Sequence, residues 1–145
     1  MFLMNLDLCK KINIKGLLCT EAASGYWGLS SYDYYTFPVF MVEGIHGEVE
    51  NFVGNVSFLA VPEPITFEDT TDLGDGVFVT NKIRTVCDMI KYDSDEFHKL
   101  ETIYNFYCYE SKEDIEELER RIEAMGLSET LKRLREEAEE IAPGE

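Results

Sequence analysis

The stretch of chain between Lys15 and Lys82 contains no lysine or arginine, although it covers nearly half of the 145 residues. Its ten carboxylates are Glu21, Asp33, Glu43, Glu48, Glu50, Glu63, Glu68, Asp69, Asp72 and Asp75. No side chain in this stretch can neutralise a phosphate. The surface that it forms will repel nucleic acid and attract basic surfaces, with a strength that falls as salt screens the charges. The pattern predicts a protein partner with a basic surface.

The composition is that of an acidic chain that can still bury a core. Its 13 lysine and arginine residues face 29 aspartate and glutamate residues, which gives a net charge of −16. Hydrophobic residues make up 45% of the chain and aromatic residues 12%, enough for one domain that buries roughly two-thirds of its unfolded surface. We expect residues 1–145 to form a single α/β (α+β) domain, with a mixed α/β portion at 1–92 and a helical tail at 93–145.

The four cysteines stand far apart and form no C-x-x-C pair, so the sequence contains no zinc or redox motif built on them. They are Cys9, Cys19, Cys87 and Cys108. The apolar run at the start of the chain, Met1 to Leu8, precedes its lysines instead of following them and is too short to span a bilayer. These features predict reduced thiols, a cytoplasmic location and no membrane segment.

The first part of the chain is predicted to combine a short helix with strands. Thr20 is the predicted N-cap of the helix, and Gly28 stands where a left-handed residue ends one. Phe37–Val42 and Val56–Val61 are rich in β-branched and aromatic residues, and glycines between them indicate turns. We expect a meander or a small mixed or antiparallel sheet with helices packed on it.

An acidic loop is predicted after the second strand. Pro62 and Pro64 favour an extended exit from that strand. Thr66–Asp75 is then predicted to be a loop that ends in a Gly-Asp-Gly turn, and Val77–Val79 resumes as a short strand.

Helical spacing begins at Thr80, the predicted N-cap of the next helix, and continues through the tail. The predicted buried face of this helix consists of Ile83, Val86, Cys87 and Ile90. Another helix is predicted from Phe97 to Cys108. A third follows a Ser111 cap and ends at Gly126, and Ser128 is the predicted cap of the last one. No heptad pattern is sustained for long enough to predict a coiled coil.

No recognisable catalytic set is present. The chain has two histidines and lacks a G-x-S-x-G motif, a phosphate-binding glycine loop and an H-E-x-x-H motif. His46 is interpreted as a loop histidine, because no cysteine or second histidine stands at ligand spacing, and His98 lies on a predicted helix. The carboxylates of Thr66–Asp75 do not follow the alternate-residue spacing of an EF-hand. We expect no enzyme, no metal and no cofactor.

Three groups of residues are candidate contacts for a protein partner. The acidic loop and the segment before it supply Glu63, Glu68, Asp69, Asp72 and Asp75. An aromatic turn supplies Tyr32, Asp33 and Tyr34, since tyrosines are typical interface anchors; packing of these rings into the core is the alternative. Arg84 stands four residues before Asp88. It either supports its helix, fixes the acidic loop to the helix, or presents a guanidinium to the partner.

Two longer stretches carry a family resemblance. Leu18–Ser30 reads LCTEAASGYWGLS, a serine/alanine helix followed by Gly-Leu-Ser, and Gly76–Ile90 reads GVFVTNKIRTVCDMI, a strand followed by an Arg-Thr-apolar-Cys-Asp helix. A Met-Gly-Leu step at residues 125–127 separates the last two predicted helices. In order and spacing these stretches resemble the C-terminal antitoxin domain of the AbiEi family, the antitoxin half of bacterial abortive-infection pairs often called type IV toxin–antitoxin systems. The resemblance covers about residues 12–141.

The resemblance implies a role as an antitoxin that counters a nucleotidyltransferase-type toxin. It also implies that Ser24, Gly28, Thr85 and Asp88 are family-pattern residues with structural roles. Members of the family carry an N-terminal winged helix that binds promoter DNA, whereas only about a dozen residues precede the resembling region here. We therefore expect the neutralising domain without direct binding of nucleic acid.

A second hypothesis accounts for the same charges. In it, the chain is a phage- or mobile-element-encoded acidic inhibitor that mimics nucleic acid and blocks a nuclease or another nucleic-acid-binding defence protein. A neighbouring nucleotidyltransferase gene favours the antitoxin, and phage genes without one favour the inhibitor.

Overall fold

The computed structural model describes residues 4–13, 15–43, 54–92 and 94–141. The described residues form six helices and five strands. In chain order they are α1 (Leu6–Lys11), β1 (Gly16–Leu18), α2 (Thr20–Tyr26), β2 (Val39–Glu43), β3 (Ser57–Val61), β4 (Thr70–Gly74), β5 (Val77–Thr80), α3 (Lys82–Lys91), α4 (Glu96–Tyr109), α5 (Lys112–Ala124) and α6 (Ser128–Ile141). The loop predicted around His46 lies outside the described residues.

The five strands form one mixed sheet in the order β3-β2-β1-β5-β4. The central strand β1 is antiparallel to β2 and parallel to β5. The outer pairs are parallel for β2 and β3 and antiparallel for β4 and β5. The predicted α/β class with a mixed sheet and a helical C-terminal part is confirmed. A meander is not formed, because β2 and β3 run in the same direction and cannot be joined by a tight hairpin turn.

Part of the predicted acidic loop is a strand. Residues Thr70–Gly74 pair with β5 as an antiparallel hairpin, and Asp75 and Gly76 form its turn with φ values of +56° and +81°. The prediction of a loop was wrong for this strand because β4 lies at the edge of the sheet. An edge strand with one paired neighbour can leave polar side chains such as Asp72 in solvent, so it lacks a continuous apolar pattern.

Two elements near the start of the chain were not predicted. Strand β1 has three residues, and Leu17 and Leu18 point to opposite faces of the sheet and are both fully buried. A run this short gives no periodicity of its own, and its identity as a strand depends on pairing with β2 and β5. Helix α1 has six residues and contributes Leu6 and Cys9 to the core.

Several helix ends follow the predicted signals. Gly28 and Gly126 both have φ of +75°, the left-handed conformation that ends a helix. Ser111 accepts a hydrogen bond from the backbone N–H of Asp114 at 3.1 Å, as an N-cap residue does. Ser128, the predicted cap of the last helix, is instead the first residue of α6, and Leu127 stands at the cap position, where its carbonyl oxygen accepts the backbone N–H of Leu131 at 2.9 Å.

The two threonines predicted as N-caps lie one residue away from that position. Cys19 occupies the N-cap of α2, and Thr20 is its first residue with φ of +44°, a rare conformation for a β-branched side chain. Asn81 occupies the N-cap of α3, and Thr80 is the last residue of β5. The hydroxyl of Thr80 lies 2.6 Å from that of Thr85, so it links the strand to the helix instead of capping the helix.

The apolar side chains form two clusters. The sheet cluster gathers residues from α1, α2 and the strands, including Leu18, Phe40 and Val79. The helical cluster gathers the inner faces of α3 to α6 together with Leu29, which follows α2. Its buried members are Leu29, Val86, Cys87, Ile90, Leu100, Ile103, Phe106, Leu118, Ile122, Leu131, Leu134 and Ala138. Trp27 packs against both clusters. The predicted inner face of α3 is confirmed for its three buried members, while Ile83 is half-buried.

Candidate protein-binding surface

The hairpin of β4 and β5 and the segment that leads into it present the predicted acidic residues. We call residues 66–76, which comprise the leading segment, β4 and the turn before β5, the acidic hairpin. Its four carboxylates belong to Glu68, Asp69, Asp72 and Asp75, and all four residues are exposed. Glu68, Asp72 and Asp75 form no ion pair with any residue that the structure describes. Their carboxylates lie in solvent, and that of Asp72 accepts the backbone N–H of Gly74 at 2.7 Å.

Asp69 is the member of the acidic hairpin whose charge is compensated. Its two carboxylate oxygens lie 3.0 and 3.5 Å from the guanidinium nitrogens of Arg121 on α5. Arg121 also donates to Glu117 at 2.9 Å. These hydrogen bonds hold the pKa of Arg121 above its ordinary value, and the bond to Asp69 has the largest effect. The pair fastens one end of β4 to the helical part, 52 residues further along the chain, and no sequence pattern signals so distant a contact.

Arg84 fastens the same segment to α3. Its Nη1 donates to the carbonyl oxygens of Thr66 and Glu68, each at 2.8 Å, and its Nε donates to Asp88 Oδ2 at 3.2 Å. The side chain is only 15% exposed. Three roles were considered for Arg84, and its contacts match two of them. The bond to Asp88 supports the helix, and the bonds to Thr66 and Glu68 fix the acidic segment to that helix. The guanidinium is engaged within the chain.

This attachment matters because the segment crosses the sheet. β3 and β4 lie at opposite edges, so the connection between them, residues 62–69, has to pass over the strands in between. Phe67 packs its ring against Phe78 with the ring centroids 5.1 Å apart. Together with the bonds from Arg84, this contact fixes residues 66–68, the start of the acidic hairpin, against the fold.

Asp88 is almost fully buried beside Arg84, at 9% exposure. Burial raises the pKa of Asp88, and the nearby Arg84 guanidinium opposes that shift. Thr85 on the same helix bonds to Thr80 at the end of β5. Both family-pattern residues of α3 therefore make contacts inside the fold.

The other two family-pattern residues belong to α2 and its end. Ser24 is fully buried, and its hydroxyl lies 2.6 Å from that of Thr102 on α4. Gly28 takes the left-handed conformation that lets the chain leave the helix. These positions connect elements of the fold, and none of them presents a charged group to solvent.

The aromatic turn is packed more closely than a free surface. Tyr32 and Tyr34 are half-buried against the sheet cluster, and the Tyr32 hydroxyl donates to the carbonyl oxygen of Phe37 at 2.9 Å. Burial raises the pKa of Tyr32 to about 12. The more exposed rings are Tyr35 at 41% and Phe37 at 47%, which the aromatic pattern alone did not distinguish.

Asp33 and Glu63 are exposed carboxylates with local partners. Asp33 accepts the backbone N–H of Thr36 at 3.0 Å, which holds the pKa of Asp33 below its ordinary value. Glu63 accepts hydrogen bonds from the Tyr92 hydroxyl and from Lys91 Nζ, the latter at 2.9 Å. Both bonds lower the pKa of Glu63, and the bond from Tyr92 has the larger effect. Both carboxylates therefore also stabilise their own surroundings.

The fold does not bring all the predicted residues together. Glu68, Asp72 and Asp75 share the acidic hairpin beside the β4 edge. Glu63 follows β3 at the opposite edge, and Tyr32 lines a groove beside the same strand. The candidate residues thus form two surfaces, one at each edge of the sheet.

The groove beside β3 was not predicted. It has a volume of about 310 Å³ and is lined by Glu21 at the start of α2, Asp95 at the start of α4, and residues of β3. The backbone N–H of Asp95 lies 3.4 Å from Glu21 Oε2. Glu21 and Asp95 are 74 residues apart in the chain, so only the packing of α2 against the start of α4 reveals this contact.

Comparisons with known proteins give no match among family models, curated proteins or solved structures. The resemblance to the AbiEi antitoxin domain therefore remains a hypothesis that depends on its motifs. Within the described ranges, no helix is both long and apolar enough to cross a membrane. The same residues contain no group of three or more histidine, cysteine, aspartate and glutamate side chains placed to hold a metal ion.

Proposed function

We propose that this chain is a non-enzymatic, antitoxin-like protein that neutralises a nucleotidyltransferase-type toxin through the acidic hairpin. One observation carries the proposal: Glu68, Asp72 and Asp75 are exposed and form no ion pair among the described residues, on a backbone that Arg84 and Arg121 hold at residues 66–69 and that pairing with β5 holds from Thr70 onwards. Arg84 and Arg121 supply that support from α3 and α5. Charges on a backbone held in this way are pre-organised, so little ordering cost opposes binding.

The chemistry of the proposed partner is complementary to this surface. A protein that handles RNA or nucleotides needs a basic groove, and a negative surface can steer towards such a groove or occupy it. The whole chain adds to the same field with its net charge of −16. Association should therefore be fast at low salt and weaker as the ionic strength rises.

The resembling stretches support the same role. Leu18–Ser30 and Gly76–Ile90 form α2, β5 and α3, the part of the molecule where the two hydrophobic clusters meet. In this proposal the chain acts in the cytoplasm, where the toxin is made and where free cysteines stay reduced. All four cysteines are free thiols.

The test is capture of the partner by the tagged chain from its native host or from infected cells, at low and at high salt, with identification by mass spectrometry. The informative variant is Glu68→Lys with Asp72→Lys. Its matched control is Glu136→Lys with Glu140→Lys, two exposed residues of α6 whose reversal changes the net charge by the same amount. Circular dichroism checks that both variants are folded.

We expect a nucleotidyltransferase to be captured by the unmodified chain and by the control, and to be lost with the hairpin variant. Equal capture by the hairpin variant at low salt would contradict the electrostatic mechanism. Capture of a nuclease or another nucleic-acid-binding defence protein, lost at high salt, would instead identify the chain as the nucleic-acid-mimicking inhibitor.

A further inference from the structure

The two edge strands of the sheet differ in how they are protected against pairing with another chain. β4 carries Asp72, has a register shift between Asp72 and Gly74, and is preceded by the ion pair of Asp69 with Arg121. β3 has the sequence SFLAV, with no charged residue and no shift in its pairing with β2. Charges and bulges are two of the devices that prevent edge pairing. The β4 edge has both, and the β3 strand has neither.

The backbone of β3 has hydrogen-bonding groups directed to its outer edge. Ser57 donates its N–H to the carbonyl oxygen of Pro38 at 2.9 Å, on the side of β2. In a parallel ladder the backbone groups of alternate residues point to alternate sides. The N–H and C=O groups of Phe58 and Ala60 therefore point away from β2, towards an edge at which no described strand lies.

The surroundings of this edge are apolar along the strand and acidic beside it. Phe58 and Leu59 are half-buried and line the groove of about 310 Å³, together with Tyr92. The carboxylates of Glu21 and Asp95 line the same groove. Asp95 Oδ2 also accepts the backbone N–H of His98 at 3.0 Å and lies 2.8 Å from His98 Nδ1. A strand that docks here would find apolar contacts for one face and, in Glu21, a carboxylate for a positively charged side chain.

We propose that the outer edge of β3 is a docking site for an extended segment of a partner protein that carries lysine or arginine and pairs with β3 as an additional strand. Strand addition of this kind takes its affinity from main-chain hydrogen bonds and its specificity from the pockets beside the edge. A second copy of this chain is the less suitable occupant, because its β3 brings no basic residue and its net charge of −16 opposes association. The proposal rests on the proposed function, because it assumes that the partner is a basic protein. The main-chain contacts would lie at the edge of the sheet opposite to the acidic hairpin.

The test uses a peptide of alternating lysine and valine, about six residues long like a typical strand, added to the isotope-labelled full chain. We expect the amide signals of Phe58 and Ala60 to shift in the NMR spectrum and their hydrogens to become protected from exchange. Two control peptides separate the contributions. One replaces lysine by glutamate, and the other keeps lysine but carries methyl groups on alternate backbone nitrogens.

We expect the glutamate peptide to leave the β3 signals unchanged and the methylated peptide to bind about tenfold more weakly or not at all, because it lacks the donors for edge pairing. Ala60→Pro, which removes an outward N–H without breaking a bond to β2, should abolish protection at Phe58. Equal binding of the methylated peptide, or shifts at β4 in place of β3, would overturn the proposal. Concentration-dependent dimers in sedimentation, removed by Ala60→Pro, would overturn the choice of occupant.

This experiment is independent of the acidic hairpin. The Glu68→Lys with Asp72→Lys variant should keep the same pattern of shifts at β3. If the peptide binds β3 in that variant while partner capture is unaffected by the charge reversal, the proposed electrostatic function fails and the docking edge stands. If capture depends on the hairpin and no peptide effect appears at β3, the docking edge fails and the function stands.

Discussion

The indole Nε1 of Trp27 donates a hydrogen bond of 2.7 Å to the carbonyl oxygen of Thr80. Trp27 packs against both hydrophobic clusters, and Thr80 ends the strand that leads into α3. We expect Trp27→Phe to lower the free energy of unfolding by about 1–3 kcal/mol, through loss of the hydrogen bond and of part of the buried ring. Urea unfolding followed by circular dichroism measures this, since the variant has no tryptophan fluorescence.

Tyr26→Phe is the matched control for that variant. The Tyr26 ring packs edge-on against Trp27 with the centroids 4.9 Å apart, and its removed hydroxyl is not hydrogen-bonded within the described part of the chain. The free energy of unfolding should change by less than about 0.5 kcal/mol. Equal losses for the two variants would show that the bond to Thr80 contributes nothing measurable.

Arg84→Lys should loosen the acidic hairpin. A lysine cannot reproduce the planar arrangement that reaches the carbonyl oxygens of Thr66 and Glu68 as well as Asp88. We expect a loss of about 2 kcal/mol in the free energy of unfolding and faster proteolysis within residues 66–69. The control Arg133→Lys alters an exposed pair with Glu137 and should cost less than about 0.5 kcal/mol. If Arg84→Lys behaves like the control, Arg84 does not fix this segment.

Cys87→Asp should prevent folding. Cys87 is 6% exposed within the helical cluster, and burial raises the pKa of its thiol to about 12. An ionised carboxylate in that position carries a cost comparable to the whole stability of a small domain, about 5–15 kcal/mol. Thermal unfolding by circular dichroism gives the comparison. Cys108→Asp places the same charge at the exposed cysteine and should leave the transition nearly unchanged; a fully folded Cys87→Asp protein would refute the burial of this face.

The helical part of the fold was predictable because its signals are local. Helices α5 and α6 each have one apolar face at helical spacing, and Ser111 and Gly126 act on residues within one turn of themselves. The face of α4 was less predictable, because Phe97 is exposed while Thr102 is buried. β1 gave a weaker signal because its pairing with β2 and β5 decides its structure. β4 gave a weaker signal because, as an edge strand, it lacks a continuous apolar pattern. The distinction between Thr80 and Asn81 as the cap of α3 also depended on tertiary contacts, because Thr80 bonds to Thr85 from the end of a strand.

For the candidate surface, the sequence predicted charge but not placement. The absence of basic residues from 16 to 81 is enough to predict an acidic surface. It cannot show that Asp69 is paired with Arg121 while Asp72 forms no ion pair among the described residues, or that Glu21 and Asp95 line one groove. Those facts depend on which helix packs beside which strand, and that is decided by contacts between residues far apart in the chain.

Tyr92→Phe should raise the pKa of Glu63. In the native chain the Tyr92 hydroxyl and then Lys91 lower that pKa from its ordinary value of 4.5. A carboxyl whose pKa is lower in the folded state stabilises the fold above its unfolded pKa and loses that contribution as the pH falls through its folded pKa. Without the Tyr92 hydroxyl, Glu63 should protonate at a higher pH and contribute less to the loss of stability in acid. An NMR titration of the Glu63 side chain measures the shift. Tyr35→Phe is the control, since its hydroxyl bonds to Asp7, and it should leave Glu63 unchanged. If Glu63 titrates alike in both variants, its lowered pKa does not come from Tyr92.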